Sequence, residues 1–132
     1  MEYWTEKGDF VPEAFLMFIL INVLKALCYI HSNGFIHQDI KPEHIYVMSG
    51  GKVKLGDFGL FKILSSPDDE IPLENGTSKY YQPPEVYQKT GTGFQADIWP
   101  LGLICLEAIT GKICYKSYSL LEDDPNSYFE VR

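Results

Sequence analysis

Apolar residues recur at every third or fourth position from residue 15 to residue 30, which is the spacing of one face of a helix. Pro12 and Glu13 precede this stretch and suit a helix N-terminus. Asn33-Gly34 follows it and is a strong stop signal, because both residues accept the left-handed backbone that ends many helices. The pattern therefore predicts one long apolar helix that ends before Asn33.

Two short apolar runs follow at residues 45–48 and 52–55, and Ser49-Gly50-Gly51 between them predicts a β-hairpin. Residues 61–84 hold four prolines and an acidic cluster, a composition that predicts a long loop. A second apolar helix is expected from about residue 95 to residue 110. The predicted fold is mainly α-helical with one small β-hairpin.

Composition narrows the partners and the cellular setting. The 132 residues fit one domain, and their net charge of -7 argues against nucleic acid and anionic membranes as partners. The long apolar stretch is too short for a membrane span and carries Asn22 and Lys25 in its middle. The three cysteines form no C-x-x-C pair, so we expect neither a disulfide framework nor a zinc site. A cytoplasmic or nuclear protein is predicted.

Three short motifs that could carry chemistry occur in a fixed order. Residues 37–44 read HQDIKPEH after the first helix, residues 57–59 read DFG after the hairpin, and residues 76–85 read GTSKYYQPPE. Residues 97–102, DIWPLG, open the second helix. Each motif alone is weak, but the ordered set resembles the catalytic loop, magnesium loop, activation segment and anchor helix of the eukaryotic-type protein kinase family. The position of Lys41, two residues after Asp39, resembles the pattern of the serine/threonine class of these kinases.

The resemblance implies a partial protein-kinase-like large (C-terminal) lobe. It covers residues 1–132 from the hinge through the anchor helix, with an activation segment at residues 57–85. The small lobe, with its glycine-rich loop and nucleotide lysine, is expected to be absent. The resemblance implies ATP-dependent phosphoryl transfer to protein hydroxyls, but we expect the isolated fragment to be incompetent because half of the nucleotide pocket would be missing.

Phosphoryl transfer requires mainly positioning and charge neutralisation. By resemblance, Asp39 is the catalytic base, Lys41 stabilises the transferring phosphoryl group, and Thr77 braces both of them. The alternative interpretation makes Asp39 and Asp57 turn or cap residues, which aspartate favours, and Lys41 a solvated surface lysine.

ATP and Mg²⁺ are the cofactors that the resemblance implies. Asp57 matches the carboxylate that holds magnesium. His44 stands where the family has its second magnesium ligand, an asparagine, although magnesium prefers oxygen to imidazole nitrogen. The expected nucleotide-binding residues lie at the hinge and under the adenine: Glu2, Tyr3, Trp4, Asp9 and Tyr46.

Supporting roles also follow from the resemblance. His37 is predicted to be a packed, hydrogen-bonded core histidine, and Asp97 a buried aspartate that holds the catalytic-loop backbone. Phe58 should pack under the site, and Gly59 should permit the backbone turn that aims Asp57.

Two departures leave a second function open. Gln38 replaces the arginine that commonly pairs with a phosphate on the activation loop, and His44 replaces the asparagine. The chain is therefore either part of a serine/threonine kinase or a pseudokinase-like binding or scaffold module. The partners expected are a protein substrate, a docking partner or a missing small lobe.

Overall fold

The computed structural model describes residues 11–66, 69–70, 79–87 and 93–112. These residues form a mainly helical fold with two small antiparallel sheets of two strands each. The helices and strands in chain order are α1 (Glu13–Ser32), β1 (Phe35–Ile36), β2 (Ile45–Met48), β3 (Lys52–Leu55), β4 (Lys62–Ile63), α2 (Pro84–Tyr87) and α3 (Trp99–Thr110). Short 3-10 turns lie at Pro42–His44, Lys79–Tyr81 and Phe94–Asp97.

Helix α1 confirms the first prediction, because it begins directly after Pro12 and ends before Asn33. Its buried residues follow the helical spacing and face the core: Leu16, Ile19, Val23 and Leu27. Within the described part of the chain, α1 is the helix that is long and apolar enough to cross a membrane by length and composition. Its 20 residues correct the expectation that the apolar stretch is too short for a span. Buried helices of soluble proteins pass the same test, so this finding is weak evidence for a membrane span.

Strands β2 and β3 confirm the predicted hairpin and pair antiparallel along their full length. Ile45 lies opposite Leu55 at the open end, and Met48 lies opposite Lys52 beside the turn. The open end of the hairpin faces the catalytic loop, because the Gly56 N–H donates a 3.0 Å hydrogen bond to the His44 carbonyl. The hairpin thus places the residue before Asp57 against the residue that ends the HQDIKPEH motif.

A second strand pair was not predicted, and it corrects the assignment of residues 61–84 as a loop throughout. Strand β4 begins that segment and pairs with β1, with Phe35 opposite Ile63 and Ile36 opposite Lys62. The Leu64 N–H extends the pairing by donating to the Gly34 carbonyl at 2.8 Å. Gly34 has a φ of 77°, a left-handed conformation that glycine adopts without strain.

The second helix starts later than predicted. Residues Phe94–Asp97 form a 3-10 turn instead of the first turn of an α-helix, and α3 begins at Trp99. Pro100 explains the boundary, because proline lacks an N–H and therefore fits the first turn of a helix, where the backbone N–H groups have no partner within the helix. The end of α3 agrees with the prediction, since Gly111 is its C-terminal cap.

The core lies between α1, α3 and the loop at residues 37–44. Its main cluster consists of Ile19, Val23, Leu27, Ile40, Tyr81, Leu101, Leu103 and Ile104. Ile40 belongs to the HQDIKPEH motif and is buried among helical residues. The apolar core therefore anchors the loop that carries Asp39 and Lys41, which are the immediate neighbours of Ile40.

Candidate active site

Asp97 binds the backbone at the start of the HQDIKPEH motif, and its side chain is fully buried. Its Oδ2 accepts a hydrogen bond from the His37 backbone N–H at 2.8 Å, and its Oδ1 accepts one from the Gln38 N–H at 2.8 Å. The His31 Nε2 lies 2.8 Å from Oδ2 and donates to the same carboxylate. The structure thus gives Asp97 the predicted contacts with the backbone that leads into Asp39.

His37 is fully buried, as predicted, and both of its ring nitrogens are engaged. The Asp39 N–H donates to Nδ1 at 3.3 Å, while Nε2 lies 3.1 Å from the Gly56 carbonyl oxygen. Because the carbonyl can only accept, Nε2 carries the hydrogen and the ring is neutral. Burial lowers the pKa of His37, and the Gly56 hydrogen bond and the Asp97 carboxylate only partly oppose this shift.

The lowered pKa of His37 predicts a loss of stability in mild acid. In the unfolded chain the imidazole takes up a proton near pH 6.5, whereas the folded protein resists that proton until a lower pH. The free energy of unfolding should therefore fall as the pH drops through 6.5, by at most about 1.4 kcal/mol per pH unit. Urea denaturation between pH 8 and about pH 5.5 measures this slope.

The His37→Gln variant is the control, because glutamine can still donate and accept hydrogen bonds but does not titrate. Its unfolding free energy should depend less on pH than that of the native protein. The other charged groups around His37, namely Asp97, His44 and Asp39, are present in both proteins. Parallel pH profiles for the two proteins would contradict the assignment of the slope to His37.

Asp39 and Lys41 form an ion pair within the loop. Lys41 Nζ donates to Asp39 Oδ2 at 2.7 Å, and both side chains are largely buried. Ile40, between them, is inserted into the core. The structure thus brings together two of the three predicted catalytic residues. Thr77, the third, lies outside the described residues.

Asp57 and His44 meet beside this ion pair. His44 Nε2 lies 3.0 Å from Asp57 Oδ2, and His44 Nδ1 lies 2.8 Å from the Asp39 backbone carbonyl oxygen. The Asp57 side chain remains 56% exposed, whereas His44 is buried. The structure therefore joins the two predicted metal residues by a direct side-chain contact, which the sequence alone gave no signal to expect.

The backbone around Asp57 corrects the role assigned to Gly59. The left-handed conformation falls on Asp57 itself, with a φ of 61°, and not on Gly59. Gly59 instead provides space, because a Cβ atom there would lie 3.3 Å from Asp57 Oδ1. Phe58 packs against His37, with the two ring centroids 4.9 Å apart, and is half-exposed.

Of the predicted nucleotide-binding residues, the structure describes Tyr46 alone; Glu2, Tyr3, Trp4 and Asp9 lie outside the described residues. The Tyr46 side chain is half-exposed on β2. Its ring covers Gly56, where a Cβ atom would come within 2.9 Å of Tyr46 Cε2. Tyr46 thus lies next to the residue that precedes Asp57, on the hairpin side of the site.

For Gln38, the sequence indicated only that it replaces an arginine, and it gave no role for the glutamine itself. Its side chain is 6% exposed, and among the described residues neither amide atom has a hydrogen-bond partner. Its φ of 67° is left-handed, which costs a residue with a side chain about 1–3 kcal/mol. The residue is therefore held in this conformation by its surroundings, which include the Asp97 hydrogen bond to its backbone N–H.

The donor chemistry fits one magnesium ion better than two. Asp57 offers carboxylate oxygen, the ligand that magnesium prefers, and its side chain is open to solvent. His44 offers ring nitrogen and is already engaged by two oxygen atoms. Among the described residues no group of three or more histidine, cysteine, aspartate or glutamate side chains is placed to hold a metal ion.

Comparisons with known proteins identify the family of the chain. Residues 1–128 match the family model described as the protein kinase domain. The chain is similar to the membrane-associated tyrosine- and threonine-specific cdc2-inhibitory kinase wee-1.3 of Caenorhabditis elegans, with 43% identity over 83% of the chain. It is also similar to mitogen-activated protein kinase kinase 1 of Arabidopsis thaliana, with 41% identity over 80% of the chain. Serine/threonine-protein kinase PAK 5 of Rattus norvegicus is 38% identical over 74% of the chain.

These relatives are much longer than the region they share with the chain. The matched regions span 16% of the Caenorhabditis elegans protein, 30% of the Arabidopsis thaliana protein and 13% of the Rattus norvegicus protein. The family match nevertheless covers nearly all of the 132 residues and includes every residue of the site described above. The chain therefore belongs to the protein kinase family.

Proposed function

We propose that this chain supplies the catalytic loop and the metal loop of a serine/threonine protein kinase, which transfers the terminal phosphoryl group of ATP to hydroxyl groups of proteins. The observation that carries the proposal is the Asp39–Lys41 ion pair at 2.7 Å, beside the half-exposed carboxylate of Asp57. A base, a cation and a metal ligand next to one another are the groups that phosphoryl transfer requires.

Each residue of the ion pair has its own part in this mechanism. Asp39 accepts a hydrogen bond from the substrate hydroxyl and orients its oxygen toward the phosphoryl group. Lys41 neutralises negative charge on the transferring group, and in the absence of substrate its ammonium rests on Asp39 Oδ2. Ile40 in the core and Asp97 beneath the backbone hold the pair in place, so little reorganisation accompanies the reaction.

ATP and Mg²⁺ are the cofactors that protein kinases use, and both are part of the proposal for this chain. Asp57 would hold the magnesium ion through its exposed carboxylate. When bound, magnesium neutralises the phosphate oxygens of the nucleotide. Tyr46 would contact the adenine, together with Glu2, Tyr3, Trp4 and Asp9, and Thr77 would brace Asp39 and Lys41.

The same proposal assigns the mainly helical fold to the central part of the large kinase lobe. Residues 57–85 are then the activation segment, which begins at Asp57 and ends within the first two residues of α2. Kinases act on proteins, so the partner expected at the exposed side of Asp39 and Lys41 is a serine- or threonine-containing protein segment.

The test is a phosphoryl-transfer assay on the protein with every segment that accompanies residues 1–132 in the cell. Radiolabelled ATP, Mg²⁺ and a degenerate peptide library with serine, threonine or tyrosine at the central position are the substrates. We expect label on serine and threonine peptides. Label on tyrosine alone would overturn the serine/threonine assignment, and no label with a protein that melts cooperatively would overturn the kinase proposal.

A pseudokinase-like binding module is the second candidate, and the contact between His44 and Asp57 favours it. A carboxylate that already has a side-chain partner is a weaker ligand for magnesium. This candidate predicts a protein partner whose affinity is unchanged by Asp39→Asn and Asp57→Asn. Partner binding that disappears with either substitution in a folded protein would exclude it.

A further inference from the structure

His44 has an unusual position between the two acidic residues of the site. Its backbone carbonyl accepts the Gly56 N–H, so the residue is fixed against the end of the hairpin. Its ring then reaches the Asp39 carbonyl oxygen with Nδ1 and Asp57 Oδ2 with Nε2, at 2.8 Å and 3.0 Å. The imidazole is therefore a bridge from the catalytic loop to the metal loop.

The hydrogen-bond roles of the bridge follow from the atoms involved. The Asp39 carbonyl oxygen can only accept, so Nδ1 carries a hydrogen and donates. On the other side, Nε2 lies 3.0 Å from Asp57 Oδ2, which is hydrogen-bonding distance. One carboxylate oxygen of Asp57 is thus already in contact with a side chain of the protein.

The neighbouring carboxylate is occupied in the same manner. Lys41 Nζ lies 2.7 Å from Asp39 Oδ2, so each of the two acidic side chains already contacts a nitrogen donor of the chain. A divalent cation at Asp57 needs carboxylate oxygen lone pairs, and magnesium requires near-ideal octahedral geometry. A cation that binds Asp57 through Oδ2 therefore competes with the contact to His44.

We propose that His44 is a positioning residue that holds the Asp57 carboxylate in place of a second divalent cation, and that it competes with cations for Asp57. This inference rests on the proposed function, because it concerns the cation requirement of the same site. It predicts that the native protein uses at most one divalent cation and binds it weakly in the absence of nucleotide.

The experiment measures the binding of Mn²⁺ alone, a paramagnetic probe of magnesium sites, by electron paramagnetic resonance of the free ion. The native protein is compared with His44→Asn and His44→Leu. Asparagine can keep the donor toward the Asp39 carbonyl and removes the one toward Asp57, whereas leucine removes both. Loss of the contact with Asp57 should raise the Mn²⁺ affinity about threefold or more in His44→Leu. The gain should reach about tenfold in His44→Asn, because the asparagine amide also offers an oxygen ligand.

Asp57→Asn locates the binding event, since it should abolish the gain when it is combined with His44→Asn. Unchanged or weaker Mn²⁺ binding in both His44 variants would overturn the proposal, and weaker binding would identify His44 as a ligand. Thermal melts verify that each variant folds.

The native protein provides a measurement that needs no variant. Saturating Mg²⁺ should shift the ¹⁵N resonance of His44 Nε2, and an unshifted resonance would count against competition between His44 and the cation.

The outcomes separate this inference from the kinase proposal. Tighter Mn²⁺ binding by His44→Leu, which adds no ligand, in a protein that transfers no phosphoryl group would support the role of His44 and contradict the kinase function. Phosphoryl transfer together with unchanged Mn²⁺ affinity in both His44 variants would support the kinase function and contradict the role of His44.

Discussion

Replacement of Asp97 by alanine is expected to lower the free energy of unfolding by about 3–5 kcal/mol, a large part of the stability of a small domain. The fully buried carboxylate accepts hydrogen bonds from two backbone N–H groups and from the His31 ring. Alanine offers none of these acceptors, so the donors of His37 and Gln38 would be left buried and unpaired. Urea denaturation followed by circular dichroism measures the loss.

Two variants calibrate this measurement. Asp97→Asn keeps the shape of the side chain but can accept hydrogen bonds through one oxygen only. Its free energy of unfolding should therefore lie between that of the native protein and that of the alanine variant. Asp69→Ala removes a carboxylate that accepts a single hydrogen bond, from the Ser66 N–H at 2.8 Å, and should cost about 0.5–1.5 kcal/mol. If Asp97→Ala lost no more than Asp69→Ala, Asp97 would not be the support of the catalytic loop.

The second large effect is expected at Asp39. Asp39→Asn should lower the rate of phosphoryl transfer at saturating ATP by about 10²–10⁴-fold, because an amide cannot accept the proton of the substrate hydroxyl. The two side chains have the same shape, and the backbone contacts of Asp39 to His37 and His44 are not changed by the substitution. The measurement is kcat for the best peptide of the library.

The matched control is Glu43→Gln, which makes the same chemical change at an exposed carboxylate of the same motif. Its rate should stay within about twofold of the native rate, since surface changes away from a site have small effects. Thermal melts of both variants exclude unfolding as the cause. A rate for Asp39→Asn within tenfold of the native rate would remove Asp39 from the role of base.

The elements with strong local signals could be predicted from the sequence. Helix α1 is long enough for the helical spacing of its apolar residues to be recognised, and the hairpin has glycines at its turn. The pairing of β1 with β4 could not be predicted, because strands of two residues show no alternation and the partners are distant in sequence. The start of α3 was misplaced because the four residues of Phe94–Asp97 are too few to show whether their turn is 3-10 or α-helical.

For the candidate site, the sequence motifs predicted the roles of the residues, whereas the contacts between their side chains could be described only from the structure. Asp97 and His37 were correctly placed by resemblance to kinases, and the structure supplied their atoms and distances. The bridge made by His44 could not be predicted. It depends on the left-handed backbone at Asp57 and on the hairpin that returns Gly56 to His44, and neither is encoded in the spacing of the motif.

The pairing of β1 with β4 also determines how the site can open. The chain leaves this pairing at Ile36, passes through Asp39, His44 and Asp57, and returns to it at Lys62. The segment is therefore a closed loop, whose two ends are joined by one short ladder and by the hydrogen bond from Leu64 to Gly34. Once that ladder separates, Ile40 and the backbone contacts to Asp97 still hold the Asp39 side of the loop, whereas the segment after Asp57 loses its attachment to β1. The deuterium exchange rate of the Leu64 amide thus reports this separation.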